Sequence, residues 1–147
     1  NRTVSILNAW KSYIENDLFK EYSYQRIAQV ETVNDFLEQA QNLLNENSIH
    51  PASPTIVIGA ALEEFLRTWL EEEGEDFTGK PKGINIYTNL LKSKDLIDKQ
   101  DVKDLTAWAG LRNEAAHGHF DSVNDRLRIK IMLEGVNLFI RKYSKSN

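Results

Sequence analysis

The chain has no cysteine, so disulfides and thiolate metal sites are closed to it. That absence favours a reducing setting, and a cytoplasmic protein is expected. Only 3 prolines and 7 glycines occur among the 147 residues, and none of either precedes Pro51. No apolar run approaches the roughly 20 residues that span a bilayer, and no signal-peptide pattern opens the chain, so no membrane partner is expected. No stretch of any length alternates apolar and polar residues, and there is no repeat or low-complexity tract. Strands are thereby excluded as the main element. The chain starts at Asn1 rather than at a methionine, as a piece of a larger protein would.

With 41% hydrophobic and 27% charged residues, the composition is that of one globular domain with a proper core. The net charge of −4 argues against a generally basic nucleic-acid surface. The charge is uneven, however. Glu71, Glu72, Glu73, Glu75 and Asp76 form an acidic knot, whereas Arg126, Arg128, Lys130, Arg141, Lys142 and Lys145 make the C-terminal segment basic. Any RNA path has to be local.

Apolar residues recur with helical spacing along the whole chain. Leu7, Trp10, Ile14 and Leu18 make one stripe, and Ile27, Val30, Val33, Leu37, Ala40 and Leu44 a second. The two are about half a turn out of register, which predicts a break or bend near Tyr22-Ser23-Tyr24 and hence two N-terminal helices. Tyr13, Phe19, Tyr22 and Tyr24 read as core or helix contacts rather than as a base-stacking surface. Asn47 to Pro54 is the clearest linker, dividing a helical extension at 1–50 from a domain at 51–147.

Ser53 as N-cap and Pro54 at the first helical position start the next helix, which Gly74 ends. Its inward residues are Ile58, Ala61, Leu62, Phe65, Leu66, Trp69 and Leu70. The loop from Phe77 to Gly83 lacks the spacing and the preceding strand of a P-loop, although Lys80 and Lys82 are placed to touch phosphate. A short helix follows from Ile84 to about Leu91. Asp98 opens another, favoured by Asp101. Ser122 to Asp125 resembles a capping box for the last helix, whose buried stripe is Ile129, Met132, Leu133, Val136, Phe139, Ile140 and Tyr143. The expected fold is all-α, an up-and-down bundle of four core helices with two more at the N-terminus.

One stretch, Leu105 to Phe120, can carry chemistry. Leu105, Trp108, Ala109, Ala115 and Ala116 mark a buried helical stripe, and Arg112 falls on it where an apolar residue is expected. A guanidinium cannot shed its charge, so it needs an anion, a partner chain or water. Asn113 and His117 lie one turn apart on a single face. Arg112 and His117 are about 140° apart on a regular helix and converge only if the helix ends there, which Gly118 provides for.

Arg112-Asn-Glu-Ala-Ala-His117 resembles the Arg-x4-His motif of the HEPN superfamily, in the setting of an amphipathic helix, an Arg-Asn pair and a His-Gly helix end. The resemblance covers roughly residues 54–145. It implies a helical bundle, a metal-independent endoribonuclease of toxin–antitoxin or phage-defence type, and a cleft between two protomers lined by Arg112, Asn113 and His117. It also implies that Glu63 or Glu64 faces the motif and orients Arg112 or His117, whereas the residues by themselves read equally as solvated helix charges. RNA, a second copy of the chain, and an antitoxin or larger parent protein are the implied partners.

The residue types suit that chemistry. RNA carries its own nucleophile, the 2′-hydroxyl, and cleavage needs a base for its proton and a cation for the phosphate. An imidazole can take or return a proton near neutral pH, and a guanidinium grips phosphoryl oxygens in a fork. Asn113 would hold the imidazole or touch phosphate. His50 reads as a solvent-facing loop residue, and His119 as a loop residue beside the site or a secondary RNA contact. Glu114, His117 and His119 do not have an established zinc spacing, so neither metal nor cofactor is expected. The competing class is an inactive HEPN-like module that binds a partner or nucleotide, or dimerises a larger defence protein.

Overall fold

The structure is a computed structural model that describes residues 2–144, with side chains for 8–11 and 27–144. Its elements are α1 (Arg2–Asn45), α2 (Ala52–Glu72), α3 (Ile84–Ser93), α4 (Lys99–Ala116), a 3-10 turn (Phe120–Val123) and α5 (Arg126–Ser144). Among the described residues there is no strand, and no helix is long and apolar enough to cross a membrane. The all-helical expectation holds at this level, as a helical bundle.

The chain divides into two compact units, Asn1–Glu31 and Thr32–Asn147. The first is helical from Arg2 onward. The expected break near Tyr22-Ser-Tyr24 does not occur, and one helix of 44 residues replaces the two expected. No glycine or proline lies between 2 and 45, so nothing in the backbone stops the helix once it is started. The side chains of Leu7, Tyr13, Ile14, Leu18, Phe19, Tyr22 and Tyr24 lie outside those described. Trp10 and Ile27 are exposed.

The second unit begins inside α1, whereas the sequence placed its boundary at 50/51. Val33, Leu37, Ala40 and Leu44 are buried in its core. The turn after α1 is fastened to the bundle by Arg126, whose guanidinium donates to the carbonyls of Leu44 (2.7 Å) and Ile49. Those carbonyls belong to a helix end and a tight turn, where no intrahelical donor remains for them. One cation of the basic C-terminal segment is thus spent on the fold.

Helix α2 is the centre of this unit and packs against α3, α4, α5 and the 3-10 turn. Its inward residues are those of the stripe, with Trp69 half-buried. It starts before Ser53: Pro51, with φ −59°, takes the N-cap place, and the His50 Nδ1 accepts the Ala52 amide at 3.0 Å. His50 also packs on Phe120, with ring centroids 5.6 Å apart. Exposed though it is, His50 has a capping task.

Asp98 and Asp101 make a reciprocal capping box at the start of α4. Asp101 is buried and accepts the Tyr143 hydroxyl, and Lys142 reaches both Asp98 (3.2 Å) and Asp101 (3.4 Å). The Asp101 amide first, and Lys142 next, hold Asp98 below the usual carboxylate range. The first turn of α4 is thereby latched to the last turn of α5. At the other end of α5, Asp125 is itself the cap, accepting from the amides of Leu127 and Arg128. Ser122 lies in the 3-10 turn, so the expected capping box gives way to this single-residue cap.

Phe65, Trp69, Trp108, Phe139 and Tyr143 form an aromatic cluster where α2, α4 and α5 meet, with Trp69 and Tyr143 at 4.7 Å. Gly135 makes room for it: a Cβ there would lie 2.6 Å from Trp108 Cζ2. Gly135→Ala is therefore expected to destabilise. The overpacking cost of about 1–3 kcal/mol outweighs the helix-propensity gain of up to about 1 kcal/mol. Denaturant unfolding monitored by tryptophan fluorescence measures the difference.

Candidate functional site

The capping box sets where α4 begins, and its end is equally defined. Helix α4 stops at Ala116, His117 is the C-cap, and Gly118 takes φ 77°, a left-handed backbone that glycine adopts without a Cβ penalty. Leu105, Ala109, Leu111 and Ala115 are buried and Trp108 half-buried, while Ala116 is exposed. The helix face turned inward is thus shifted slightly from the expected stripe, toward Leu111 and away from Ala116.

Arg112 lies against α2 at Gly59. A Cβ on Gly59 would meet Arg112 Cγ at 2.3 Å and Cβ at 3.0 Å, so the aliphatic stem of the arginine occupies the place of a side chain on α2. Beyond that contact the guanidinium emerges half-exposed. Nη1 donates to Asn113 Oδ1 at 3.3 Å, and Nη2 lies 3.9 Å from Glu63 Oε2. These contacts use only part of the five-donor fork.

The guanidinium borders a cleft of about 280 Å3 lined by Glu63, Lys82, Gly83, Ile84, Asn85, Ile86, Ala109, Arg112 and Asn113. The residues from Gly83 to Ile86 are the first turn of α3, whose N-cap Gly83 (φ 149°) offers no side chain to its amides. Two cations and an uncapped helix N-terminus therefore meet one carboxylate, an arrangement suited to an anion such as a phosphate. Glu64 takes no part: both its oxygens accept from Arg67 at 2.7 Å, and Arg67 also holds Glu71. Of the two glutamates the sequence left open, Glu63 borders the motif and Glu64 faces Arg67.

The two histidines stand apart from this cleft. His117 is exposed, its amide bonded to the Asn113 carbonyl at 2.9 Å and its ring 6.2 Å from that of His119. His119 pairs through Nδ1 with Glu114 Oε2 at 3.0 Å, both on the surface. The structure brings Arg112, Asn113 and Glu63 together and places His117 and His119 beyond the end of the helix. Among the described residues no three His, Asp or Glu side chains are gathered as a metal would need.

Sequence reasoning missed Gly59, Asn85 and Tyr87. Gly59 carried a signal, since a glycine inside the apolar run Ile56-Val-Ile-Gly-Ala-Ala61 asks for a close neighbour. Asn85 carried none. No protein-family model, no curated protein and no solved structure matches the chain.

Gly59→Ala is expected to lose about 1–3 kcal/mol through the clash with the Arg112 stem. In an Arg112→Ala background the same change should be neutral or stabilising, because Cγ is gone and alanine favours the helix. A double-mutant cycle of urea unfolding free energies reads the difference.

Proposed function

We propose that the chain is a metal-independent endoribonuclease of HEPN type, an up-and-down bundle working in the cytoplasm with a site shared across a homodimer. The observation that carries this reading is the placement of Arg112. Its stem is locked on Gly59, and its fork opens into a cleft that Lys82 and the α3 N-terminus also make favourable for a phosphate. Arg112 grips the scissile phosphate and balances the charge that builds on its oxygens. His117 takes the 2′-hydroxyl proton, and Asn113 steadies the phosphate or the imidazole. One histidine cannot easily both activate the nucleophile and protonate the leaving oxygen, so the second copy supplies the other.

The exposure of His117 at a helix end, away from its own Arg112 cleft, fits a half-site completed by a partner. The same observation also supports a second reading, an inactive module that binds a partner such as an antitoxin or dimerises a larger parent protein. Such a module would keep the anion cleft and would not cut RNA.

Incubation of the purified chain with RNA in EDTA separates the two. Cleavage should proceed, leaving a 2′,3′-cyclic phosphate on one fragment and a free 5′-hydroxyl on the next, and Arg112→Ala should abolish it. A 2′-deoxy substitution at the scissile nucleotide should block that cut. Products bearing a 5′-phosphate, or a strict need for Mg2+, contradict the reading.

A second measurement concerns the histidines. His117→Ala should remove activity and leave the melting temperature nearly unchanged, because the side chain is exposed. His119→Ala should keep most activity, its ring being tied to Glu114. Equal losses in a rate comparison would contradict this division of labour.

A further inference from the structure

A second cavity, of about 470 Å3, adjoins the Arg112 cleft and shares Glu63 and Lys82 with it. Phe36, Phe77 and Tyr87 give it aromatic walls. Tyr87 is fully buried, with its ring edge-on to Phe77 at 5.0 Å, and its hydroxyl has no hydrogen-bond partner. A buried hydroxyl left unpaired costs about 1–3 kcal/mol, which phenylalanine at this position would avoid.

Burial first, and the charge of Glu63 next, raise its pKa above the ordinary tyrosine value. The group is a standing O–H donor, and the Gly83 amide lies near without completing a bond to it. Glu64 and Glu71 are both engaged by Arg67. Glu63 is the freer carboxylate of the cavity, its oxygen standing 3.9 Å from Arg112 Nη2.

A tyrosine with a buried, unpaired hydroxyl and a freer carboxylate acceptor therefore line one aromatic-walled cavity, next to a cleft suited to phosphate. That combination matches the edge of one nucleobase. We propose that this cavity is a base pocket selecting guanine, with Glu63 accepting the adjacent N1–H and N2–H groups and Tyr87 donating to O6. This rests on the ribonuclease reading and adds to it the nucleotide that is chosen.

The aromatic walls flank the ring, and the attached phosphate reaches Lys82 and Arg112 next door. The Tyr87 hydroxyl is closed to water in the free chain, and entry of the base has to open the way to it. Adenine and cytosine offer the carboxylate a single amino group beside an acceptor nitrogen. Uracil offers one N–H between two carbonyls. Only guanine gives a carboxylate two neighbouring donors with an acceptor beside them, and the wrong base leaves a buried polar group unpaired.

Titration calorimetry of the whole chain with guanosine, adenosine, cytidine and uridine 5′-monophosphates tests the pocket without any cleavage. Guanosine monophosphate should bind tighter than the others by about ten-fold or more, the scale of one good bidentate base contact. Tyr87→Phe and Glu63→Gln should each erase most of that preference, and Tyr87→Phe should leave the melting temperature unchanged or raised. Equal binding of the four nucleotides overturns the proposal. So does a lowered melting temperature in Tyr87→Phe, which would reveal an internal partner for the hydroxyl. Mapping cuts on a mixed-sequence RNA separates the two readings. Guanine-selective binding without cleavage keeps the pocket and removes the ribonuclease, and cleavage in EDTA without base preference does the reverse.

Discussion

The contact between Gly59 and Arg112 fixes the distance between α2 and α4 at the level of the site, and other features follow from it. With a Cβ excluded on α2, the arginine stem becomes the packing element between two helices. Its methylenes take the apolar environment, and its charged head is pushed to where water or an anion can meet it. A lysine could fill the same gap, but it would present a point charge rather than a planar fork. The long-standing difficulty of a cation on a buried stripe is resolved by dividing the side chain between two environments. No deeply buried ion pair is required.

Around that contact the bundle is held at its edges by polar fastenings that join distant parts of the chain. Arg126 ties the turn after α1 to the start of α5, and the group of Asp98, Asp101, Lys142 and Tyr143 ties the start of α4 to the end of α5. Each satisfies backbone or carboxylate groups that a helix end leaves without partners. Two cations of the basic C-terminal segment, Arg126 and Lys142, are thus used inside the fold. Lys82 and Arg112 are the cations that line the cleft.

Legibility in the sequence followed the length scale of each cause. The helices α2 to α5 were readable because periodic burial and caps are local: Gly74, the Asp98–Asp101 box and Gly118 mark their ends to within a residue or two. The join within α1 was misread because a change of hydrophobic phase signals a change of surroundings rather than a stop in the backbone. Residues 33–44 face the core of the second unit. At the site, Arg112 announced itself as a charge on an apolar stripe. The choice of Glu63 over Glu64 did not, since a step of one residue on a helix decides which of them meets Arg112 and which meets Arg67. Tyr87 carried no mark in the sequence, because an unsatisfied hydroxyl is visible only once every neighbour is placed.

The latch on Asp101 turns α4 into a ruler. One end is pinned to α5, and eleven residues later Arg112 must arrive over Gly59. Each residue advances the helix by about 1.5 Å and turns it by about 100°. A chain that kept every side chain named here but gained or lost one residue between 101 and 112 would swing the arginine away from its gap and point it at a different neighbour. This segment can drift in composition on its outer face, but its length is a fixed dimension of the protein.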